Sequence, residues 1–331
     1  MSARPPGVPA AATPPGAFVS PARRRFGALT AAATLVLIFV GGLVTSTGSG
    51  LAVPDWPLSY GMLMPPMVGG IFYEHGHRMA ATGVGFLTLV LALWTWRRES
   101  RAWVRRLAWL ALAAVIVQGV LGGMTVLFLL PAPISVAHAC LAQTFFCLLL
   151  LLAYATSREW TATGVGRTVD HAGVRSAAAA ATAVIYGQLV LGAVMRHLGA
   201  GLAVPDFPLV FGGLLPPAWT TAVAVHLAHR AGAGAVLIAV IRLTIRCRRA
   251  DEPRLARLAT GLSTLVLLQV ALGATTILTQ KAVLPTTAHV ALGAAILGGA
   301  WLATLRAYRL LLPAPQPLAD SSSLRRGVAT A

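Results

Sequence analysis

Acidic residues are scarce in this chain: nine Asp and Glu stand against 26 Lys and Arg in 331 residues, and charged residues of both signs make up only 11%. A soluble domain carries about 25%, so a water-surrounded globule is excluded. Cysteine is nearly as rare. Cys140 and Cys147 fall in one apolar stretch and Cys247 at the end of another, which suggests neither a disulfide pair nor a thiolate metal site. A signal peptide is not expected either. Residues 1–22, rich in Pro, Ala and Gly, lack its short apolar core and cleavage site and are expected to form a disordered cytoplasmic tail, as are residues 313–331.

What the chain has in quantity is apolar sequence, 57% of residues. A spanning helix takes ~20 mostly apolar residues, and eight stretches qualify: 27–47, 75–96, 105–130, 134–156, 175–196, 224–246, 256–280 and 286–309. With no water in the hydrocarbon to satisfy the backbone, these predict an all-α membrane protein of eight transmembrane helices. The formal charge of +17 does not indicate nucleic acid as a partner. All Lys and Arg except Arg78, Arg196, Arg230 and Lys281 lie in the tails or in the even-numbered connections between stretches. That asymmetry is the positive-inside signal, and it predicts both termini in the cytoplasm.

The chain is written twice. "GSGLAVPDWPLSYGMLMPP" (48–66) returns as "GAGLAVPDFPLVFGGLLPP" (199–217), at an offset of 151. "QGVLGGMT" from Gln118 returns as "QVALGATT" from Gln269, and His138 in "SVAHACL" aligns with His289 in "TTAHVAL". "HGHRMAATG" matches "LAHRAGAGA", setting His77 on His229 and Arg78 on Arg230. Four stretches per copy is an even number, so the copies insert in the same orientation about an axis along the membrane normal. The expected organisation is a four-helix bundle over 23–160 and another over 161–312. The segments 48–73 and 197–223 each carry Pro-Asp-aromatic-Pro. Two readings stand for them: a short amphipathic lid over the outer mouth of each bundle, or a sequence that only shapes the loop.

Ionisable groups within a membrane are costly, so the histidines ask for a reason. His77 and His138 lie near the outer ends of two non-adjacent stretches, and His229 and His289 repeat them. Two imidazoles facing across a bundle make an axial pair for a haem iron. Zinc or copper normally takes three or four ligands, and each half offers two clear ones. One such histidine alone reads as a satisfied core residue; four, paired and repeated, favour haem. Arg78 and Arg230 at the interface suit a haem propionate or a snorkelling anchor. The pattern Gln-x-x-x-Gly at Gln118/Gly122, Gln188/Gly192 and Gln269/Gly273 allows close approach of a macrocycle or of a neighbouring helix. His75, His171 and His197 lack matching partners and are expected at the surface. His226 stands as an alternative ligand to His229, with the repeat register and the following Arg favouring His229.

The halves differ at Glu74, three residues before His77, where the second half has His226. Residues three apart share a helix face. A dihaem electron carrier has no need of a carboxylate there, whereas an enzyme acting at a haem edge can use one as general base or to stabilise a developing cation. The plainer alternative is an ion pair with Arg78 or a helix N-terminal cap.

Together, "GLAVPDWPLSYG", "EHGHR", "SVAHACL", "HLAHR" and "TTAHVAL" resemble the haem A synthase family, with the likeness covering residues 27–310. The resemblance implies a membrane oxidoreductase that converts haem O to haem A, oxidising one ring methyl to a formyl group for use by cytochrome oxidase. It implies substrate-haem ligands at His77 and His138, a haem b cofactor on His229 and His289, and Glu74 as the catalytic carboxylate. Its implied setting is a bacterial cytoplasmic membrane, with an electron acceptor, the farnesyltransferase that makes haem O and oxidase assembly factors as partners. Many members carry a cysteine pair in the first outer loop; here those places are Val53 and Ser59, and Val204 and Val210 in the second loop. A loop thiol role is therefore absent. The rival readings are a non-catalytic dihaem electron carrier and a haem chaperone.

Overall fold

The computed structural model describes residues 20–161, 168–250 and 252–312; most of the two expected tails, 1–19 and 313–331, lies outside them. Nine α-helices follow in order among the described residues: α1 Pro21–Ser46, α2 Gly69–Arg98, α3 Ala102–Leu127, α4 Ala132–Ala155, the single turn α5 Arg158–Thr161, α6 Val174–His197, α7 Thr221–Arg249, α8 Pro253–Leu278 and α9 Val283–Leu310. All but α5 are long and apolar enough to cross a membrane, and each coincides with one expected stretch. Pro21 and Ala22, assigned from sequence to the tail, instead form the first turn of α1, with the Ser20 side chain accepting from the Arg23 N–H at 3.3 Å.

The helices pair as two closed sets of four. α1, α2, α3 and α4 form one ring of neighbours, and α6, α7, α8 and α9 form the other. This pairing fits the expected repeat. Each ring has its own apolar core, one centred on Leu91, Leu107, Phe145 and Leu149, the other on Ile185, Leu243, Leu262 and Leu297. The two sets meet where α1 and α4 pack on α9 and α4 packs on α6. Gly298 of α9 lies against the Phe146 ring, and the Trp301 indole N–H donates to the Cys147 carbonyl at 3.0 Å.

Backbone detail repeats as well. Gly48, Tyr60 and Gly61 have left-handed φ, and so do Gly199, Phe211 and Gly212, each 151 residues on. α3 stops at Leu127 because Leu129 and Leu130 turn left-handed ahead of Pro131. The Leu130 N–H then returns to the Thr125 carbonyl at 2.6 Å, as the Lys281 N–H does to Thr276 at 2.8 Å.

At the opposite end from the histidines, the fully buried Arg23 of α1 donates to Glu99, just past α2, at 2.6 Å. Arg101 binds the other Glu99 oxygen at 2.8 Å and the Ala155 carbonyl of α4 at 3.0 Å, so one carboxylate ties three helices. Burial opposes ionisation of Glu99, but the hydrogen bonds from Arg101 and the charges of Arg101 and Arg23 outweigh it and hold the carboxyl below its usual range. Between the halves, Glu159 accepts from Tyr154 and from Arg306, both at 3.0 Å. A two-residue parallel ladder pairs Thr168 and Val169 with Leu311 and Leu312.

Candidate functional site

Each of the four expected histidines rests on a glycine of the neighbouring helix. A Cβ on Gly41 of α1 would lie 3.0 Å from His77 Cε1 of α2; on Gly122 of α3, 3.2 Å from His138 of α4. In the second set, Gly192 of α6 meets His229 of α7 at 3.0 Å, and Gly273 of α8 meets His289 of α9 at 3.1 Å. Any other residue would push the imidazole away. Gln-x-x-x-Gly from the sequence thus marks three of these four seats. The fourth, Gly41, escapes it because Leu37 stands where the second half has Gln188. His77 and His138 are electrostatic neighbours, as are His229 and His289. All four are half-buried.

The glutamines hold the histidine-bearing helices. Gln118 donates to the His138 carbonyl at 3.0 Å, Gln188 to that of His229 at 2.9 Å, and Gln269 to that of His289 at 2.9 Å. The ring nitrogens differ between halves. His229 Nδ1 lies 3.1 Å from the Gln188 amide nitrogen and His289 Nδ1 lies 3.2 Å from the Gln269 carbonyl, whereas Nδ1 of His77 and of His138 is buried without a protein partner. A histidine that ligates a metal through one nitrogen normally has its other ring nitrogen oriented by such a partner.

Glu74 sits in the second turn of α2, 4% exposed. It accepts from Arg78 at 2.7 Å and from the Val53 N–H of the outer loop at 2.8 Å. The ion pair with Arg78 is therefore formed, but Glu74 is not the N-terminal cap, since α2 starts at Gly69. Arg78 also donates to the carbonyls of Asp55, Leu58 and Val53. Arg230 repeats this on Leu209, Val204 and Asp206, with its Nε buried and unpartnered. Both arginines thus fasten the outer loop of their own half.

His226, 2% exposed, stands in the place of Glu74 and likewise reaches the loop, its Nδ1 lying 3.0 Å from the Ala200 carbonyl. Gly192 faces His229, not His226. Within each loop an aspartate caps the turn: Asp55 accepts from the N–H groups of Tyr60 and Gly61, and Asp206 from those of Phe211 and Gly212. Led by Gly61 and by Gly212, these bonds hold both carboxyls below the usual aspartate range.

One expectation is overturned. His75 is not a surface residue: it is 6% exposed, its Nδ1 lies 2.8 Å from Ser59 Oγ, and its Nε2 is buried without a partner. The reason is that α2 begins six residues before the apolar stretch does, which carries His75 under the loop. The second half replaces this polar pair with apolar contact, Val210 for Ser59 and Leu227 for His75. His171 is exposed as expected, and His197, the last residue of α6, is half-buried.

The chemistry of the donor set suits haem. Each half offers two imidazoles on facing helices, each with a glycine behind it where a side chain would intrude. Among the described residues, no group of three or more His, Cys, Asp and Glu is gathered as zinc or copper would require.

Comparison with known proteins bears on the family of the whole chain. The chain is 29% identical over 269 residues to the heme A synthase of Shouchella clausii, covering 79% of this chain and 88% of that protein. It is 32% identical over 250 residues to the heme A synthase of Symbiobacterium thermophilum, covering 73% and 81%. The heme A synthase of Halalkalibacterium halodurans is 31% identical over 225 residues, covering 65% and 73%. The COX15-CtaA family profile, described as cytochrome oxidase assembly protein, matches residues 24–69 and 69–301, and the chain belongs to that family.

Proposed function

We propose that this chain is a haem A synthase that oxidises the ring methyl of haem O to a formyl group. The observation that carries the reading is the repeated histidine pair, each imidazole on its glycine, with a buried carboxylate beside only one of the two pairs. The bundle over 23–160 takes the substrate haem between His77 and His138; the bundle over 161–312 holds haem b between His229 and His289. The assignment follows the asymmetry of the ring nitrogens. The Nδ1 atoms of His229 and His289, the ligands of a resident cofactor, have the Gln188 amide and the Gln269 main-chain carbonyl as partners. Those of His77 and His138 have none, although Gln118 reaches His138 Nε2 at 3.4 Å, and this looser hold suits a porphyrin that must come and go.

Two successive hydroxylations convert the methyl to a geminal diol, which loses water to leave the aldehyde. Each breaks one C–H bond, forms a C–O bond to the oxygen of a water molecule, and releases two protons and two electrons, the electrons passing to the external acceptor. Haem b supplies one-electron redox chemistry between the substrate site and an external electron acceptor. Glu74, three residues from His77, takes up a proton or stabilises positive charge developing at the substrate. Its two bonds, from Arg78 and from the Val53 N–H, keep the carboxylate fixed in place. Arg230 Nε, a buried donor with no protein partner, is available to a propionate in the second site. Arg78, whose terminal nitrogens are bonded to the loop carbonyls and Glu74, has Nε for a propionate in the first. The excess of basic residues in the tails and even-numbered connections supports a cytoplasmic membrane location with both termini inside. The farnesyltransferase that makes haem O and oxidase assembly factors are the natural partners.

Glu74→Gln tests the reading, because the amide keeps an acceptor for the Val53 N–H while removing the charge. Purified from cells that supply haem O, the variant should retain both haems and form no haem A. Full formyl product would remove Glu74 from the chemistry. Chromatography of the extracted pigment decides the class: haem O or haem A beside haem b supports the enzyme. Protohaem alone would make the chain an electron carrier, and loosely held, unaltered haem a chaperone.

A further inference from the structure

The two outer loops share their turns, their capping aspartates and their arginine clamps, yet their aromatic residues do different things. In the second loop Phe207 lies under the Arg230 guanidinium, 5.6 Å from ring centroid to carbon. In the first, the indole of Trp56 is set into α3. A Cβ on Gly123 would lie 2.5, 2.7 and 2.9 Å from Trp56 Cδ2, Cε2 and Cε3. The ring occupies the space that a methyl group would need. The equivalent of Gly123 in the second half is Ala274, which carries that methyl. The preceding residue, Gly122, is the seat of His138, so the indole rests on the turn of α3 that also seats a histidine of the first site.

Interfacial tryptophans need no special reason in a membrane protein. This one has a notch cut for it. Trp56 is 40% exposed, and its packing on α3 adds to attachments of the first loop that the second does not share: the Val53 N–H to Glu74, and Ser59 to His75.

We propose that Trp56 is a positioning residue that closes the outer mouth of the first site and holds the porphyrin substrate against His138, and that Gly123 is the seat that makes closure possible. The inference rests on the assignment of the first bundle to the substrate. The seat is specific to that bundle. A site that exchanges its porphyrin at every turnover needs a wall that can leave and return, and a flat ring resting in a notch without a covalent tie can do both.

Three variants of the full-length membrane protein test this: Gly123→Ala, Trp56→Phe, and the two together. The single methyl of Gly123→Ala should unseat the indole. Retention of haem O and formation of haem A should then fall by at least about fivefold, the low end of what one overpacked methyl does. Hydrogen exchange of the amides in residues 53–62 of the ligand-free protein should quicken. Haem b in the second bundle should stay at the wild-type level, which verifies folding. The double variant reproduces the Phe and Ala pairing of the second half and should recover most of the loss, since the smaller ring clears the methyl.

Wild-type haem O retention and loop exchange in Gly123→Ala would overturn the proposal, and so would a double variant no better than Gly123→Ala. Should the wild-type protein hold only protohaem and form no haem A, the enzymatic reading fails separately. The seat is then decided by loop exchange and first-bundle haem retention: a difference between wild type and Gly123→Ala upholds it, and none refutes it.

Discussion

Gly192→Ala places a methyl group 3.0 Å from His229 Cε1, with Nδ1 at 3.6 Å and Nε2 at 4.0 Å. Ordinary contact for such a pair begins near 3.4 Å, so the imidazole must withdraw by a few tenths of an ångström. It has little freedom to do so. Gln188, four residues earlier on the same helix, holds both Nδ1 and the His229 carbonyl. Overpacking a fitted site costs roughly 1–3 kcal/mol, which corresponds to about 5- to 140-fold in affinity at ~1.4 kcal/mol per tenfold. The ligand-free protein should not suffer to the same degree, because replacing Gly by Ala in a helix gains up to about 1 kcal/mol of helix propensity. The control is Gly187→Ala, five residues earlier on α6, where an added methyl meets nothing within 4 Å. The assay is transfer of haem b to excess apomyoglobin, followed by absorbance, with thermal unfolding of the ligand-free proteins alongside. Gly192→Ala should lose haem b at least about fivefold faster than Gly187→Ala, at equal or higher thermal stability. Equal haem loss in the two variants would refute the placement of a ligand on His229.

Further expectations concern the nitrogen partners and the buried carboxylate. Gln188→Leu copies Leu37 into the second half; it should weaken haem retention there about 10- to 100-fold, as loss of a ligand's orienting partner does, and Leu37→Gln should slow haem loss from the first half. Glu99→Ala leaves Arg23 buried without its carboxylate and should cost roughly 3–5 kcal/mol of stability, read as a lower unfolding midpoint. Because the folded Glu99 carboxyl is held below its ordinary value, its contribution is complete above about pH 4.3 and is lost as the pH falls through the lowered folded value. The wild type and Glu99→Gln should therefore differ in midpoint at pH 7 and converge in that acid range. A gap that persists at low pH would mean that shape, not charge, holds the three helices.

The eight spans were legible because membrane helices announce themselves by apolar length, and the duplication because two 19-residue strings keep 13 positions identical. The limits of α2 were not. Residues 69–74 are too mixed in polarity to read as a span, and the helix starts there because the loop packs on it, with Gly70 lying against Ala52 and Ser49. That extra turn buries His75, whose neighbours in sequence gave no sign of it. Only the comparison of halves carries the signal: a Ser and His pair where the second copy has Val and Leu. Gly41 was hidden in the same way, since the motif that marks its three counterparts begins with a glutamine that Leu37 has replaced. Glu74 and His77 could be placed on one helix face from their spacing. The bond from Glu74 to the Val53 N–H could not, because it joins residues 21 apart through a loop whose path depends on Arg78.

Duplication explains why these differences matter energetically. Two copies with the same backbone, the same glycine seats and the same histidines would bind a porphyrin with the same affinity and release it at the same rate. A resident cofactor needs slow release; a substrate needs release within each turnover. Moving the backbone would disturb both, because the halves share the packing of α1 and α4 on α9. Small local changes avoid that. Replacing Gln188 by Leu37 takes an orienting partner from one imidazole, and under the proposed assignment the unpartnered Nδ1 of His77 and His138 lowers the hold on iron without touching a seat. What the first half gives up at the histidines it recovers at the loop, through Glu74, Ser59 with His75, and Trp56 on Gly123. A loop hold can be released in a single motion, whereas a ligand bond strengthened by its second partner cannot. The position of the polar replacements, on the loop side of the first bundle, is therefore what a division of labour between an exchanging site and a retaining site requires.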